Sequence, residues 1–228
     1  MALLGIPKPD LDPVQLALAI NHDRPNEQLE QSVRDCLVQA RELIAPRAVY
    51  ELLAVVGQGP DWIEVQGKAG GSTRLTVGPK TDLLGPAERV LVGATTIGHE
   101  LDDAVKRLNQ QGDPYAAYVL DCVGVSLLGE AGKALDRLAE EVAARRGWGV
   151  GHRLAPGSLP GWDMTDQKVL AGLVLAGQGA IIFNDVGVLW PFKSATSLIG
   201  MGQGFISRRV GRVCHMCSKR ETCWSKEK

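Results

Sequence analysis

The sequence predicts an α+β fold, an antiparallel sheet with flanking helices, on three observations. Short runs rich in β-branched and aromatic residues at 48–56, 62–65 and 73–77 are separated by Gly and Pro, the pattern of an antiparallel meander. Leu29, Val33, Cys36, Leu37, Ala40, Leu43 and Ile44 step by three and four, which gathers them on one face of a helix. The run RVLVGAT at 89–95 is apolar enough to be a central strand, and two helical stretches, 97–110 and 114–146, follow it.

Taken in order, residues 1–13 are rich in Pro and Asp and are expected to be loose, within an N-terminal arm over 1–25. Asn26 is a fitting cap for the first helix, which must end before Pro46. The long helix at 114–146 contains Gly124, Gly129 and Gly132. Each costs about 1 kcal/mol relative to Ala, so either close helix packing or an approaching ligand has to account for them. Residues 147–162 (GWGVGHRLAPGSLPGW) are too dense in Gly and Pro for regular structure and predict a loop of functional type, bracketed by Trp148 and Trp162. A capped helix is expected from Thr165 to about Ala176, then strands at 180–190 and 197–206. The main domain is thus read as 26–207, with a basic, Cys-bearing tail over 208–228.

Composition narrows the function classes. With 228 residues, 45% hydrophobic and 22% charged, the chain is an ordinary globular protein whose core needs no disulfide staples. Its 25 Lys and Arg against 26 Asp and Glu leave a net charge of -1, so no global field gathers nucleic acid or anionic lipid. The first ten residues lack a basic stretch followed by an apolar one, and no run of about 18 apolar residues occurs, so no membrane segment and a cytoplasmic location are expected.

Of five Cys, three stand in the last fifteen residues, as Cys214-x2-Cys217-x5-Cys223. Thiolates two residues apart can chelate one metal centre while a third closes from a nearby turn, and the surrounding basic residues favour an anionic iron–sulfur cluster. Zinc is the rival, although His215 directly follows Cys214 and is badly placed to complete a Cys3His set; free thiols or a disulfide in a solvated basic tail is the bland reading. Cys36 and Cys122 read as buried core thiols, His99 as a cap or surface group, and Asp102 and Asp103 as a solvated helix face. The stretch Gly67 to Gly71 lacks the Lys-Ser or Lys-Thr of a phosphate loop, and Ser126 and Ser194 lack a nucleophile elbow. Arg153-Leu-Ala-Pro156-Gly157 combines a turn that can expose amides with a guanidinium able to fork onto a carboxylate or phosphate.

From about Val90 onward these pieces occur in an order that resembles the reactivation domain of cobalamin-dependent methionine synthase and its stand-alone relatives. They are Val92-Gly-Ala-Thr-Thr-Ile-Gly98-x-Glu100-Leu, Gly112-Asp-x-Tyr-Ala-Ala-x-Val-Leu-Asp121, the glycine-bearing helix with Glu130, Arg153 to Gly157, Trp162 with Gln167-Lys168, and Trp190-Pro-Phe-Lys-Ser194-Ala-Thr-Ser197. A cysteine-rich tail like that from Cys214 to Cys223 closes the stand-alone relatives. The resemblance implies a bent antiparallel sheet with flanking helices that binds S-adenosylmethionine and presents it to a corrinoid on another protein, so that reduced cobalamin is remethylated. It implies that Arg153 and the backbone at Ala155, Pro156 and Gly157 hold the methionine part, that Glu130 contacts the ligand, and that the 190–197 segment with Ser194 helps form the corrinoid-facing cleft. Where the family loop commonly continues with Tyr, this chain has Ser158; Trp162 or Trp148 is the candidate replacement ring, since cation–π contact with a sulfonium is worth about 0.5 to 2 kcal/mol. The expected function is therefore corrinoid reactivation, by S-adenosylmethionine binding, by electron delivery from a metal tail, or both. The expected partner is a corrinoid protein or methyltransferase. The alternative is a non-catalytic iron–sulfur or corrinoid-binding accessory or sensor protein.

Overall fold

A computed structural model describes residues 2–67, 70–175 and 181–225. Its strands are β1 Ala2–Gly5, β2 Arg47–Gln58, β3 Ile63–Gln66, β4 Ser72–Leu75, β5 Arg89–Thr96, β6 Gly149–Leu154, β7 Ile182–Phe183, β8 Leu189–Trp190 and β9 Ser194–Gly202. Its helices are α1 Pro13–Ile20, α2 Glu27–Leu43, α3 Glu100–Gln110, α4 Pro114–Ala144 and α5 Asp166–Leu175. Among the described residues, one antiparallel sheet runs in the order β4-β3-β2-β5-β9-β6, with β1 added beside the first residues of β2. The long strand β2 changes partners along its length, from β1 at its start to β3 at its end, and the register slips between Val55 and Gly57. Such a slip bends a strand and raises its twist, and here it turns the β3–β4 hairpin away from the main sheet.

Period-two alternation along β5 and β9 sends side chains into two separate cores. Leu91, Ile199 and Met201 face α4 and α2, against Leu120, Leu127 and Leu135; Val90, Val92 and Leu198 face α5, against Leu170, Ala171 and Val174. Strands buried on both faces need continuous apolar runs, which is why 89–96 reads as one.

Several expectations change. From Ala2 on, the N-terminal stretch is not loose: Ala2–Gly5 pairs with Arg47 to Tyr50, and α1 begins on Pro13 with Asp12 as its cap, the carboxylate accepting from the Val14 amide at 2.8 Å. Leu16, Ala17 and Ile20 of that helix are buried against the α4 side of the sheet. The predicted loop at 147–162 contains β6, whose Gly149 and Gly151 are small because Phe205 lies directly against both. The strand expected over 180–190 is the two-residue hairpin β7–β8, closed by Asn184, whose side-chain oxygen accepts from the Val186 and Val188 amides; Ala180 lies outside the described residues. The helix expected to reach Ala176 is described to Leu175. Asp102 also differs from its reading as a solvated group, being 6% exposed and bonded to Lys193, whereas Asp103 is on the surface beside His99.

No helix among the described residues is long and apolar enough to cross a membrane.

Candidate functional site

A cleft of about 730 Å³ opens between the N-terminal half of the sheet's α4 side, α4 itself and the end of β6. One stripe of α4 forms its wall, with Val125, Ser126, Gly129, Gly132 and Lys133 repeating at helical spacing. Thr95 of β5 and Ala195, Thr196 and Ser197 of β9 form the floor. Arg153, Leu154, Ala155 and Ser158 contribute from β6 and the turn after it, and Asp12, Gln15 and Leu16 from α1 form the rim.

The three glycines of α4 divide in their cause. A Cβ on Gly124 would meet Leu101 at 2.7 Å and a Cβ on Gly132 would meet the Arg153 guanidinium at 2.5 Å, so both are there for close packing. A Cβ on Gly129 would meet nothing within 4 Å, because Gly129 opens onto the cleft. Gly132 thus clears the path by which Arg153 lies across α4 to reach Asp136, with Nη1 3.5 Å from the carboxylate oxygen. Arg212 approaches the same Asp136 oxygen at 3.4 Å. Asp136 is 7% exposed, so two guanidiniums bracket one buried carboxylate at the edge of the cleft.

Polar groups elsewhere in the cleft are mostly engaged. Glu130 pairs with Lys133 at 2.5 Å, one turn along the helix, and Asp12 accepts from the α1 amides. Thr95 and Thr196 are different. They are 2% and 3% exposed, and neither hydroxyl has a hydrogen-bond partner among the described residues. A buried hydroxyl without a partner costs on the order of 1–3 kcal/mol, and one on the floor of a cleft can recover that from a ligand.

The expected site residues fall into two groups. Glu130, Arg153 and Ala155 line the cleft, together with Cys214 of the tail. Pro156 and Gly157 lie beyond it in the turn, where Gly157 adopts a φ of 76° that favours glycine and donates to the Trp162 carbonyl at 2.9 Å. Trp162 is 2% exposed in the core on the α5 side, its indole donating to Asp166 at 3.1 Å, so it is not a ring over the cleft. Ser194 opens β9 off the cleft wall, and its hydroxyl too has no hydrogen-bond partner among the described residues. Ser158, standing where the family has Tyr, braces the turn from within, since its hydroxyl donates to the Ala155 carbonyl at 2.5 Å and accepts from the Ala155 amide at 3.2 Å. The backbone expected to hold a ligand at Ala155 is therefore already engaged by Ser158.

The basic tail is docked rather than solvated. Val150 donates to the Ser207 carbonyl, Arg153 to that of Gly211, and Gly211 back to that of Gly151, so residues 207–211 extend the sheet beyond β6. Arg209 pairs with Glu140 of α4 at 2.7 Å, Val210 and Trp224 pack on the α4-side core, and Val213 and Met216 on the other. Ser218 returns to the 155–158 turn, donating to the Gly157 carbonyl at 2.8 Å and, through its amide, to that of Ser158. Cys214–Met216 is a short 3-10 turn, the Cys217 sulfur accepts from the Lys219 amide, and the Cys223 sulfur contacts the Ser225 hydroxyl. Among the described residues no group of three or more His, Cys, Asp and Glu side chains is arranged to hold a metal ion. Cys214, Cys217 and Cys223 as placed do not fit the cluster or the zinc expected of them.

Four buried or half-buried groups are perturbed. Burial, then the charge of His215, hold His152 below its ordinary value. Burial pushes the Cys36 thiol up to about 11 and also raises Cys122, in keeping with core thiols. Burial lowers Lys193, but its bond to Asp121 at 2.5 Å and its pairing with Asp102 at 3.2 Å outweigh this, and its net shift is upward.

Sequence reasoning missed Asp136, Arg212 and Thr95. Thr95 stands inside the Val92 to Gly98 segment beside Thr96, which is equally buried, and what distinguishes the two is that the Thr96 hydroxyl donates to the Lys193 carbonyl at 3.3 Å.

The chain is similar to a crystal structure of the MetH reactivation domain bound to AdoHcy, with a TM-score of 0.57 and 18% identity over 84% of this chain and 69% of that one. The likeness establishes the bent α+β fold. No protein-family model matches the chain, and no curated protein sequence matches it.

Proposed function

We propose that the protein is a corrinoid-reactivation module that binds S-adenosylmethionine in the cleft between α4 and β6 and presents it to a corrinoid carried by a partner protein. The observation that carries this reading is the meeting of Arg153, Glu130 and Ala155 on one cleft, in a fold like that of a domain solved with AdoHcy. The cleft's volume of about 730 Å³ falls within the range of roughly 300–1,000 Å³ usual for small-molecule sites. It offers guanidinium and carboxylate groups to a zwitterion, apolar walls from Leu11, Leu16, Val125, Leu128 and Leu154 to a nucleoside, and the unmatched hydroxyl of Thr95.

Bound S-adenosylmethionine supplies a methyl group on a sulfonium. The residues of this chain bind and orient it. Arg153 forks onto the carboxylate, Glu130 places negative charge near the sulfonium or amine, and Thr95 meets a polar atom on the cleft floor. Ser158 fixes the turn that carries Ala155, in place of an aromatic ring. The chain's contribution is positioning, which requires no general base.

The test is a methylation assay. Wild-type protein, S-adenosylmethionine and a chemically reduced corrinoid protein are mixed, and the absorption of methylcobalamin is followed. Methylcobalamin is expected with wild type, and Arg153→Gln should slow its formation by about tenfold or more, the equivalent of one charge-assisted hydrogen bond. Failure of the wild type across several corrinoid partners, with no uptake of the donor, would contradict the reading.

A further inference from the structure

We infer that Thr95 holds the nucleoside of the ligand, so that S-adenosylmethionine lies along α4 with its amino-acid end at Arg153 and its nucleoside over Thr95. The inference deepens the S-adenosylmethionine reading above and rests on it: that reading gives Thr95 a polar atom to meet, and the strand register decides which part of the ligand brings it.

Pairing across the sheet fixes where Thr95 stands. It lies opposite Ala48 of β2 and Ala195 of β9, so small side chains flank it on both sides. Helix α4 crosses this row. A Cβ on Gly93, two residues before Thr95, would meet Leu135 at 2.6 Å, and one on Gly124 would meet Lys193 at 3.0 Å, next to the pair formed by Thr96 and Ser194. Thr95 therefore lies between those two crossings, beneath the part of α4 that contains Gly129, where a Cβ would meet nothing within 4 Å. Thr196, the other unpartnered hydroxyl of the cleft, alternates to the opposite face of β9 with Leu198 of the α5-side core, whereas Thr95 shares the face of Leu91 and Ile199, toward α4.

An amino acid held at Arg153 does not extend this far. Arg153 pairs with Ile199 and Thr95 with Ala195, so the two differ by four residues along β9, roughly 13 Å at the rise of a strand. They also stand on β6 and β5, on either side of β9 and roughly 10 Å apart. The Arg153 guanidinium lies over Gly132 and turns to Asp136, the direction along α4 that leads away from Gly129. From a carboxylate held there to its sulfur, the methionine part has four bonds of roughly 1.5 Å each, too few to bring the amino-acid end onto Thr95. Beyond the sulfur come ribose and adenine, whose hydroxyls and ring nitrogens suit a threonine hydroxyl that can both donate and accept. Leu11, Leu16, Val125 and Leu128 give the same cleft the apolar walls that a purine needs. Thr95 is 2% exposed, so its bond to the nucleoside is made away from water, where it is stronger.

The experiment is a calorimetric titration of the full chain with two probes, S-adenosylhomocysteine and 5′-methylthioadenosine, which shares the nucleoside and sulfur but lacks the amino-acid end. Thr95→Val keeps the side-chain shape without the hydroxyl and should weaken both probes by the same factor, about three- to tenfold. Thr95→Ser, which restores the hydroxyl, should bind both within about twofold of wild type. Arg153→Gln should weaken S-adenosylhomocysteine by about tenfold or more and leave methylthioadenosine within about twofold. Thermal melts of the free protein separate binding from packing: no protein group bonds the Thr95 hydroxyl, so Thr95→Val should keep or raise Tm. The inference is overturned if Thr95→Val leaves both probes unchanged, if it weakens S-adenosylhomocysteine and spares methylthioadenosine, or if lost binding comes with a fall in Tm of more than about 4 °C. A wild type that takes up neither probe would sink the parent reading and this one with it; a wild type that binds both while Thr95→Val changes neither would sink this one alone.

Discussion

Two charge clusters in this molecule each centre on one buried charge, Lys193 in one and Asp136 in the other. At one end of β9, Lys193 stands between Asp102 and Asp121, one cation with two carboxylates. Farther along α4, Asp136 stands between Arg153 and Arg212, one carboxylate near two cations. In the first the cation is enclosed while Asp121 stands at the surface: Lys193 is 8% exposed, its stem touches the space left by Gly124, and its backbone amide also reaches Asp102. The second borders a cleft. The difference is one of position: the Lys193 cluster ties α3 and α4 to the start of β9, whereas Arg153 and Arg212 stand on the lining of a cleft.

This contrast can be broken from its structural side. Lys193→Met removes the cation of the first cluster and leaves Asp102 buried beside Asp121, so a loss of about 3 to 5 kcal/mol in unfolding free energy is expected, read from denaturant melts. Binding of S-adenosylhomocysteine by the protein that remains folded should be unchanged. A stable Lys193→Met protein that has lost binding would exchange the roles of the two clusters.

The glycines sharpen the other side. In Gly132→Ala the new Cβ displaces only the far end of the Arg153 side chain, so stability should change by less than about 1 kcal/mol while S-adenosylhomocysteine affinity falls by about tenfold. Gly129→Ala meets no atom within 4 Å and should stabilise α4 by about 0.5 to 1 kcal/mol. Equal effects of the two on binding would mean that the position of Arg153 does not matter.

The smallest effect expected is on the tail. The folded state holds His152 below its ordinary value, so on acidification the unfolded state takes up the proton first. The contribution of His152 is therefore fully present above pH of about 6.5 and is lost as pH falls below it. Amide exchange at Gly211, which is bonded to the Gly151 carbonyl, should quicken at pH 5.5 relative to pH 7.5 after correction for intrinsic rates, and His152→Gln should remove the difference. Unchanged protection in the wild type would detach His152 from the docking of the tail.

Much of the fold was legible because its signals are local. The α2 pattern with Asn26 as its cap, the apolar β5 and the long α4 are read from neighbours in the chain, and the structure has Asn26 accepting from the Leu29 amide at 2.9 Å. The misread parts depend on distant partners. Four residues of β1 carry little signal until they meet Arg47 to Tyr50, and β6 is disguised by glycines that make room for Phe205, more than fifty residues away. The start of α1 did have a local mark, Asp12 followed by Pro13, which the surrounding Pro and Asp obscured.

The candidate site divides in the same way. Arg153, Glu130 and Ala155 belong to ordered motif pieces and stand on the cleft, whereas Trp162, chosen for its ring, is core. Asp136 and Arg212 carry no motif at all. Their meeting depends on the parallel pairing of residue 211 with residue 152, which no sequence period announces.

The central claim is tested most directly by a crystal structure of the full chain grown with saturating S-adenosylhomocysteine. Density is expected in the cleft between α4 and β6, with the amino-acid carboxylate within hydrogen-bond reach of Arg153 and a polar ligand atom on the Thr95 hydroxyl. Density elsewhere on the protein, or an empty cleft at a concentration where calorimetry reports binding, would contradict it.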